Sequence, residues 1–409
     1  MTTLRTLNDL NVTHKTVLVR VDLNVPMKHG KVEDATRITR LVPTLKALIN
    51  RQAKVVILSH FGRPDGEFVR DMSLAPLTNP LSEALDDMPI KFALDCLGET
   101  TKEAVTALQP GEVILLENVR FHKGEEKNDP EFAKELASLG DCFVNDTLSC
   151  SHRAHASIVG IAQYLPSAAG LLLEDEIKNL ERVLEHPEPP LVAIVGGSKV
   201  STKLELLDNL IQKVQLLVIG GAMANTFLKA SGFNIGKSLY EEALVPTAKD
   251  ILQQAKSSDC EIFLPRDAVV AKEFKAQAPC EILPVSQIPD DGMILDIGPD
   301  SIMELSYKLG GAKSLVWNGP LGAFEMQPFD VGTVSLARRV ASLTKQGKLI
   351  SVAGGGDVVA ALKLGGMVDE FTYISTAGGA FLEWMEGKEL PGLTALRDVT
   401  LLPRSVASK

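Results

Sequence analysis

The chain has few aromatic side chains, few cysteines and no surplus of positive charge, and each shortage closes off a class of function. Among 409 residues, aromatics make up 5% and cysteines number five, while 42 Lys and Arg face 52 Asp and Glu for a formal net charge of −10. That balance argues against nucleic acid as a main partner, because phosphate backbones are held by surplus cations. It does not exclude a small anionic substrate, since a local cluster sets the local field. Cys96, Cys142, Cys150, Cys260 and Cys280 are odd in number and none stand in C-x-x-C spacing, so they read as buried thiols in a reducing compartment. No apolar run reaches the ~20 residues that span a bilayer, and residues 1–10 lack the apolar core of a signal peptide. A cytoplasmic protein with no membrane or nucleic-acid partner is expected. Two nucleotide motifs are also missing, the G-x-G-x-x-G fingerprint and the G-x-x-x-x-G-K-[ST] loop.

What is present points to parallel sheets. The length exceeds what one core supports, so two domains are expected. Short runs rich in Val, Ile and Leu are predicted as strands at residues 16–23, 54–60, 113–120 and 141–145. A second set lies at 191–197, 215–221, 261–265, 314–318, 349–353 and 371–375. Runs apolar on both faces belong to sheets covered on both sides. Helical patterns alternate with them at 34–50, 130–139, 203–212, 241–254 and 331–343, which gives an α/β architecture. In such sheets ligands bind beyond the carboxyl ends of the strands. Residues 172–185 read as one amphipathic helix, stopped by His186-Pro187-Glu188-Pro189-Pro190, and so as a connector between domains.

In the first half, the predicted strands run out into basic and polar residues. Arg20, Asp22 and Asn24 close the first, and Asp22 and Asn24 share one side of an extended chain, suited to a sugar-like hydroxyl or to a plain Asx turn. Asp34 caps a helix whose first turn carries Arg37 back toward the strand ends. His60 and Arg63 flank Gly62 after the second strand, Arg120 ends another, and His152-Arg153-Ala154-His155 follows the fourth. His152 and His155 lack carboxylates arranged as a zinc site needs. Arginines bunched at successive strand ends repel one another unless an anion joins them. Fixed guanidinium forks suit a small, multiply charged anion.

In the second half, the strands run out into glycine. Gly196-Gly197 leads to Lys199 and Lys203, two lysines four apart that would share one face of a helix start. Gly220-Gly221 and Gly378-Gly379 follow two further strands. Gly354-Gly355-Gly356-Asp357 is the strongest phosphate cradle, with converging N–H groups at a helix N-terminus and Asp357 placed for magnesium. Asn318 and Glu325 lie on the turn after residues 314–318. The stretch Gly232–Ser238 imitates a phosphate loop but is one residue short and follows a helix, so it is rejected. An anion in one half and a nucleotide in the other suggest phosphoryl transfer.

Read in order, the motifs VRVDLNVP, DATRI, SHFGRP, LLENVRF, SHRAHAS, GGSKVSTK, GGAMANTFL, NIGKSLYEEALV, LDIGP, WNGPLGAFE, GGGD and EGKELPG resemble those of the phosphoglycerate kinases over essentially the whole chain. The resemblance implies two doubly wound parallel-sheet domains joined by a helix, with a cleft between them. Residues 1–170, completed by a tail at 390–409, would form the substrate domain, 171–186 the connecting helix and 187–389 the nucleotide domain. It implies reversible transfer of the acyl phosphate of 1,3-bisphosphoglycerate to MgADP, giving 3-phosphoglycerate and ATP, in a monomer with hinge motion. 3-Phosphoglycerate would be held by Asp22, Leu23, Asn24, Arg37, His60, Arg63, Arg120 and Arg153. The nucleotide and its Mg2+ would meet Lys203, Gly220, Gly221, Asn318, Glu325, Gly354, Gly355, Gly356, Asp357 and Val358. Arg37, Lys199 and Lys203 would face the transferring phosphoryl group.

This chain departs from the family pattern in three places. Val358 stands where a hydroxyl residue is usual, which is expected to weaken nucleotide binding. Ala377 replaces a glycine and would strain its turn if φ were positive there. Residues 147–150, Thr-Leu-Ser-Cys, have no assigned consequence. Two other readings compete: an NAD-dependent dehydrogenase, disfavoured by the missing fingerprint, and a non-catalytic relative acting as a binding protein, disfavoured by the retained lysines and arginines.

Overall fold

The computed structural model describes residues 4–28 and 30–397. The chain divides into two compact units, one formed by residues up to Ile177 with those from Glu389 onward, the other by Lys178–Lys388.

The first unit is built on six parallel strands: β1 (Thr16–Arg20), β2 (Lys54–Leu58), β3 (Ile90–Ala93), β4 (Val113–Leu116), β5 (Cys142–Asn145) and β6 (Ser167–Ala169), in the order β3-β4-β2-β1-β5-β6. Arg20 pairs in register with Leu58 and with Asn145, so the carboxyl ends of the three central strands are level. β1 and β2 end earlier than the sequence suggests. Beyond β1 the Asp22 side chain takes the N–H of Asn24 at 3.0 Å, an Asx turn that competes with the ladder. β3 and β6 carry no long apolar run and were not expected from the sequence.

The helix α1 (Thr36–Asn50) opens where Asp34 Oδ1 accepts the Thr36 N–H at 2.9 Å. It buries Ile38, Leu41, Leu45 and Leu48 against the sheet, each worth roughly 1.5–3 kcal/mol. The connecting helix α2 runs from Leu171 to Leu184. Its first turn is capped by Asp146 Oδ1, which accepts from Leu172 and Leu173 at 3.0 and 3.1 Å. The division between units falls inside it. Of the expected tail 390–409, the helix Pro391–Arg397 belongs to the first unit and buries Leu393 and Leu396; residues 398–409 lie outside the described residues.

The second unit repeats the plan. Its sheet holds β7 (Leu191–Val195), β8 (Leu216–Ile219), β9 (Glu261–Phe263), β13 (Ser314–Asn318), β14 (Ile350–Gly354) and β15 (Tyr373–Ser375), all parallel, in the order β9-β8-β7-β13-β14-β15. The strand order reverses between β7 and β13, where crevices form in such sheets. A smaller antiparallel sheet, β10 (Asp267–Ala271), β11 (Cys280–Pro284) and β12 (Met293–Ile297), was not expected. β11 is largely exposed, so it lacks the apolar run that marks the other strands. Cys280 lies on it and is exposed, correcting the expectation that all five thiols are buried. Among the described residues no helix is long and apolar enough to cross a membrane.

Candidate active site

In the first unit the basic residues gather at the carboxyl ends of β1, β2, β4 and β5. Arg37, in the first turn of α1, reaches back to Asp22 Oδ2 at 2.7 Å and to the Asn24 carbonyl at 2.9 Å. Asn24 Oδ1 accepts the Gly62 N–H at 3.1 Å, and Leu23 donates its N–H to Ser59 Oγ at 2.9 Å. These bonds tie the turn after β1 to the turn after β2. Arg120 is buried in a short 3-10 turn, donates to the Gly62 carbonyl at 2.8 Å and pairs with Glu126 at 3.2 Å. Arg153 is half-buried and donates to His152 Nε2 at 3.1 Å. Arg63 is exposed.

His60 is 5% exposed and sits among this charge. Its pKa is held well below the usual histidine value by burial and then by Arg20, Arg120, Arg153 and Arg37. His60 is therefore a neutral donor in a cationic basin, which suits an anion. Asp22, His60 and Cys150 bring one ligand atom each within 4.8 Å of one another. The same arginines make that group a poor cation site.

Arg20 is the residue that sequence reasoning named without giving it a place in the site. It is fully buried, with Nε on Ser157 Oγ at 2.8 Å, Nη1 on the Val21 carbonyl and Nη2 3.1 Å from His60 Nδ1. A buried guanidinium at a strand end needs dedicated partners, and that was the available signal. Asn118 was missed as well: 1% exposed, it donates to the carbonyls of Phe61 and Met72 at 2.7 and 2.9 Å and accepts from the Arg120 N–H. It holds the turns that carry His60 and Arg120.

In the second unit a cavity of about 490 Å³ opens beside the crevice between β7 and β13. Gly221, Glu325 and Asp357 line it, with apolar walls from Leu239, Leu321 and Phe324. At the crevice the backbone strands nearly touch: a Cβ on Gly196 would lie 1.8 Å from the Pro320 carbonyl oxygen. Gly220 caps the helix Gly221–Ala230. The segment rejected as a phosphate loop contributes Lys237 to the cavity wall instead.

Lys203 turns inward. Its ammonium donates to the Gly196 carbonyl at 2.6 Å and to Asn318 Oδ1 at 2.6 Å. Burial lowers its pKa to about 8, against the favourable pull of Asp357. Asn318 Nδ2 in turn donates to the Gly354 carbonyl at 2.9 Å, so one amide links Lys203 to the glycine turn. The expectation that Lys199 and Lys203 share a helix face is corrected. The helix starts only at Leu204, Lys203 occupies its cap position, and Lys199 is exposed in the preceding loop. Glu241 holds that loop by accepting from the N–H and hydroxyl of Ser201.

The helix α3 (Gly356–Leu364) follows β14. Its first internal hydrogen bond runs from Val359 N–H to the Gly355 carbonyl at 3.1 Å. The N–H groups of Gly356, Asp357 and Val358 therefore precede the helical ladder, as an anion cradle requires. The Val358 side chain is buried in the core with Trp317 and Leu362. Asp357 is exposed at the cavity, and one carboxylate beside nucleotide phosphates is a donor set that fits magnesium. Ala377 is not among the residues with positive φ, so its turn is unstrained.

The family model described as phosphoglycerate kinase matches residues 7–388. The chain is 56% identical over 392 residues to a phosphoglycerate kinase of Rhodospirillum centenum, covering 96% of this chain and 99% of that one. To that of Agrobacterium fabrum it is 56% identical over 397 residues, covering 97% and 99%. The solved phosphoglycerate kinase of Coxiella burnetii superposes with a TM-score of 0.89 at 43% identity, covering 96% and 99%.

Proposed function

The chain belongs to the phosphoglycerate kinase family, and from that premise we propose that it transfers the acyl phosphate of 1,3-bisphosphoglycerate reversibly to MgADP. The observation that carries this reading is the pairing of two unlike anion sites in one chain. The first unit offers a guanidinium basin around a neutral His60. The second offers the N-terminus of α3, with Lys203 and Asn318 bound to the turn before it.

In the reverse direction the attacking group is the carboxylate of 3-phosphoglycerate, already ionised at neutral pH. No general base is needed, and catalysis rests on positioning and charge neutralisation. Asp22 and Asn24 fit the hydroxyl of the acceptor. Arg63, Arg120, Arg153 and His60 fit its phosphate, and Arg37 the transferring group. Lys199 lies on an exposed loop, free to follow a phosphoryl group as it moves. The α3 N–H groups hold the nucleotide phosphates, Glu325 the ribose, and Asp357 the magnesium that travels with the nucleotide. Transfer requires the two bound substrates to meet, so a hinge movement belongs to the cycle.

The test is ADP formation from MgATP with and without 3-phosphoglycerate, coupled so that product is removed. Turnover that requires 3-phosphoglycerate and collapses in Arg37→Ala is expected. Binding of both ligands without turnover would instead make the chain a non-catalytic relative.

A further inference from the structure

The segment 147–150, which departs from the family pattern, has a place in the acceptor basin. The short helix Leu148–Ser151 follows β5 and sets Ser149 against Asp22. The Ser149 hydroxyl donates to Asp22 Oδ2, the oxygen that also accepts from Arg37 Nη1 at 2.7 Å. Asp22 Oδ1 accepts the Asn24 N–H at 3.0 Å. Ser149 Oγ lies 2.9 Å from Thr147 Oγ1. Ser149 has one proton and gives it to the carboxylate, so the contact with Thr147 runs from Thr147 to Ser149. Thr147 is buried at 3% exposure. It heads a chain of hydroxyls that ends on Asp22, each bond polarising the next.

A carboxylate offers about four acceptor positions. Arg37 and Ser149 fill those on Oδ2, and Asn24 takes one on Oδ1. One position remains, on Oδ1. We propose that the Thr147–Ser149 hydroxyl chain closes Oδ2 and fixes the Asp22 carboxylate, so that Asp22 accepts a single substrate hydroxyl and selects for a phosphorylated 2-hydroxy acid. Thr147 and Ser149 are positioning residues here, and the proposal rests on the reading of the first unit as the 3-phosphoglycerate site. With Ser149 truncated, Oδ2 regains a free lone pair, the carboxylate turns more freely, and the hydroxyl of the substrate loses its unique partner.

The experiment compares KM for 3-phosphoglycerate with the inhibition constant of 3-phosphonooxypropanoate, which lacks only the 2-hydroxyl, in the full-length enzyme. In Ser149→Ala, KM is expected to rise roughly three- to tenfold, the weight of one charge-assisted hydrogen bond partly replaced by water. The inhibition constant of the deoxy compound stays as in the parent, so discrimination between the two falls by the same factor. Ser149→Thr keeps the hydroxyl and restores KM and with it the discrimination, and Thr147→Val shifts KM the same way by less. An unchanged KM in Ser149→Ala overturns the proposal. So does an equal weakening of both compounds, which would mean that Ser149 only supports the fold. Parent enzyme without 3-phosphoglycerate-dependent turnover would overturn the underlying reading itself, and that is read before any variant.

Discussion

Arg20 Nη2 stands 3.1 Å from His60 Nδ1, and this contact decides which ring nitrogen carries the proton. A guanidinium only donates, so Nδ1 accepts and the imidazole proton sits on Nε2. The charge of Arg20 is itself answered from behind: its Nε donates to Ser157 Oγ, which donates to the buried Glu125 at 2.6 Å.

Nitrogen NMR should therefore find His60 still as the neutral Nε2–H tautomer as pH falls through 6.5, the usual histidine value, since burial and then Arg20 depress its pKa. Arg20→Met leaves Glu125 buried without its cation and should cost about 3–5 kcal/mol in urea unfolding. The pH dependence has a definite sign. A histidine with a depressed folded pKa binds fewer protons folded than unfolded, so its contribution to stability is lost as pH falls below the usual histidine value of 6.5. His155, lowered to about 3 by burial and then Arg120, acts in the same direction. The buried Asp296 and Asp146, raised by burial to about 8 and about 6, act in the opposite direction, so the histidine part is read as the difference in urea midpoint between the parent and a His60→Gln, His155→Gln variant. That difference should fall as pH drops through this window, and a pH-independent difference would contradict the buried, neutral state of both rings.

Lys203 should make nucleotide binding depend on alkali. With its pKa lowered to about 8, mainly by desolvation, the ammonium is present below that pH and fades above it. Phosphates at the α3 N-terminus favour the charged form and raise the pKa in the complex. Above about pH 8, MgADP binding should then take up a proton and weaken as pH rises. Calorimetry in two buffers of different ionisation enthalpy measures the uptake. Lys203→Met should abolish it and weaken MgADP. Equal proton balance in parent and variant would place the titration elsewhere.

What was legible in the chain, and what was not, follows from the range of the interactions. β1, β2, β5, β7 and β13 announced themselves as apolar runs, and their polar exits marked where the two proposed sites lie. The strand order and the doubly wound plan agree with the resemblance. The inward turn of Lys203 did not show, because its acceptor on Asn318 lies 115 residues further along. The same holds for Ser149, whose partner Asp22 is 127 residues away. Spacing on a helix put Lys199 and Lys203 together, but the backbone carbonyl of Gly196 drew one of them out of that pattern. The antiparallel sheet β10–β12 was hidden because β11 faces water.

Gly355 is where a single methyl should separate the two sites. Its φ is +102°, and a Cβ there would lie 2.8 Å from Asn318 Nδ2. Gly355→Ala adds backbone strain of roughly 1–3 kcal/mol and displaces the amide that links Lys203 to the glycine turn. The thermal midpoint should fall and KM for MgATP should rise about tenfold, taking the lost Lys203–Asn318 alignment as one charged hydrogen bond. KM for 3-phosphoglycerate should stay as it is, because Lys203, Asn318 and Gly355 all belong to the second unit. A parallel rise in both Michaelis constants would show that the turn does more than cradle the nucleotide.

Val358 tests whether a hydroxyl at the third position of α3 reaches the phosphates. The N–H of residue 358 precedes the helical ladder, but the side chain is 1% exposed and packs in the core with Trp317 and Leu362. Val358→Thr keeps the shape and buries a hydroxyl, which costs about 1–3 kcal/mol where the hydroxyl finds no partner. If the hydroxyl turns to a bound phosphate, that cost is recovered on binding. The ligand-free variant should then melt below the parent, while MgADP raises its midpoint by more than it raises the parent's, and the nucleotide KM should fall. An equal ligand-induced shift in both proteins would mean that the side chain stays in the core, and that the backbone N–H alone serves the phosphate in this chain.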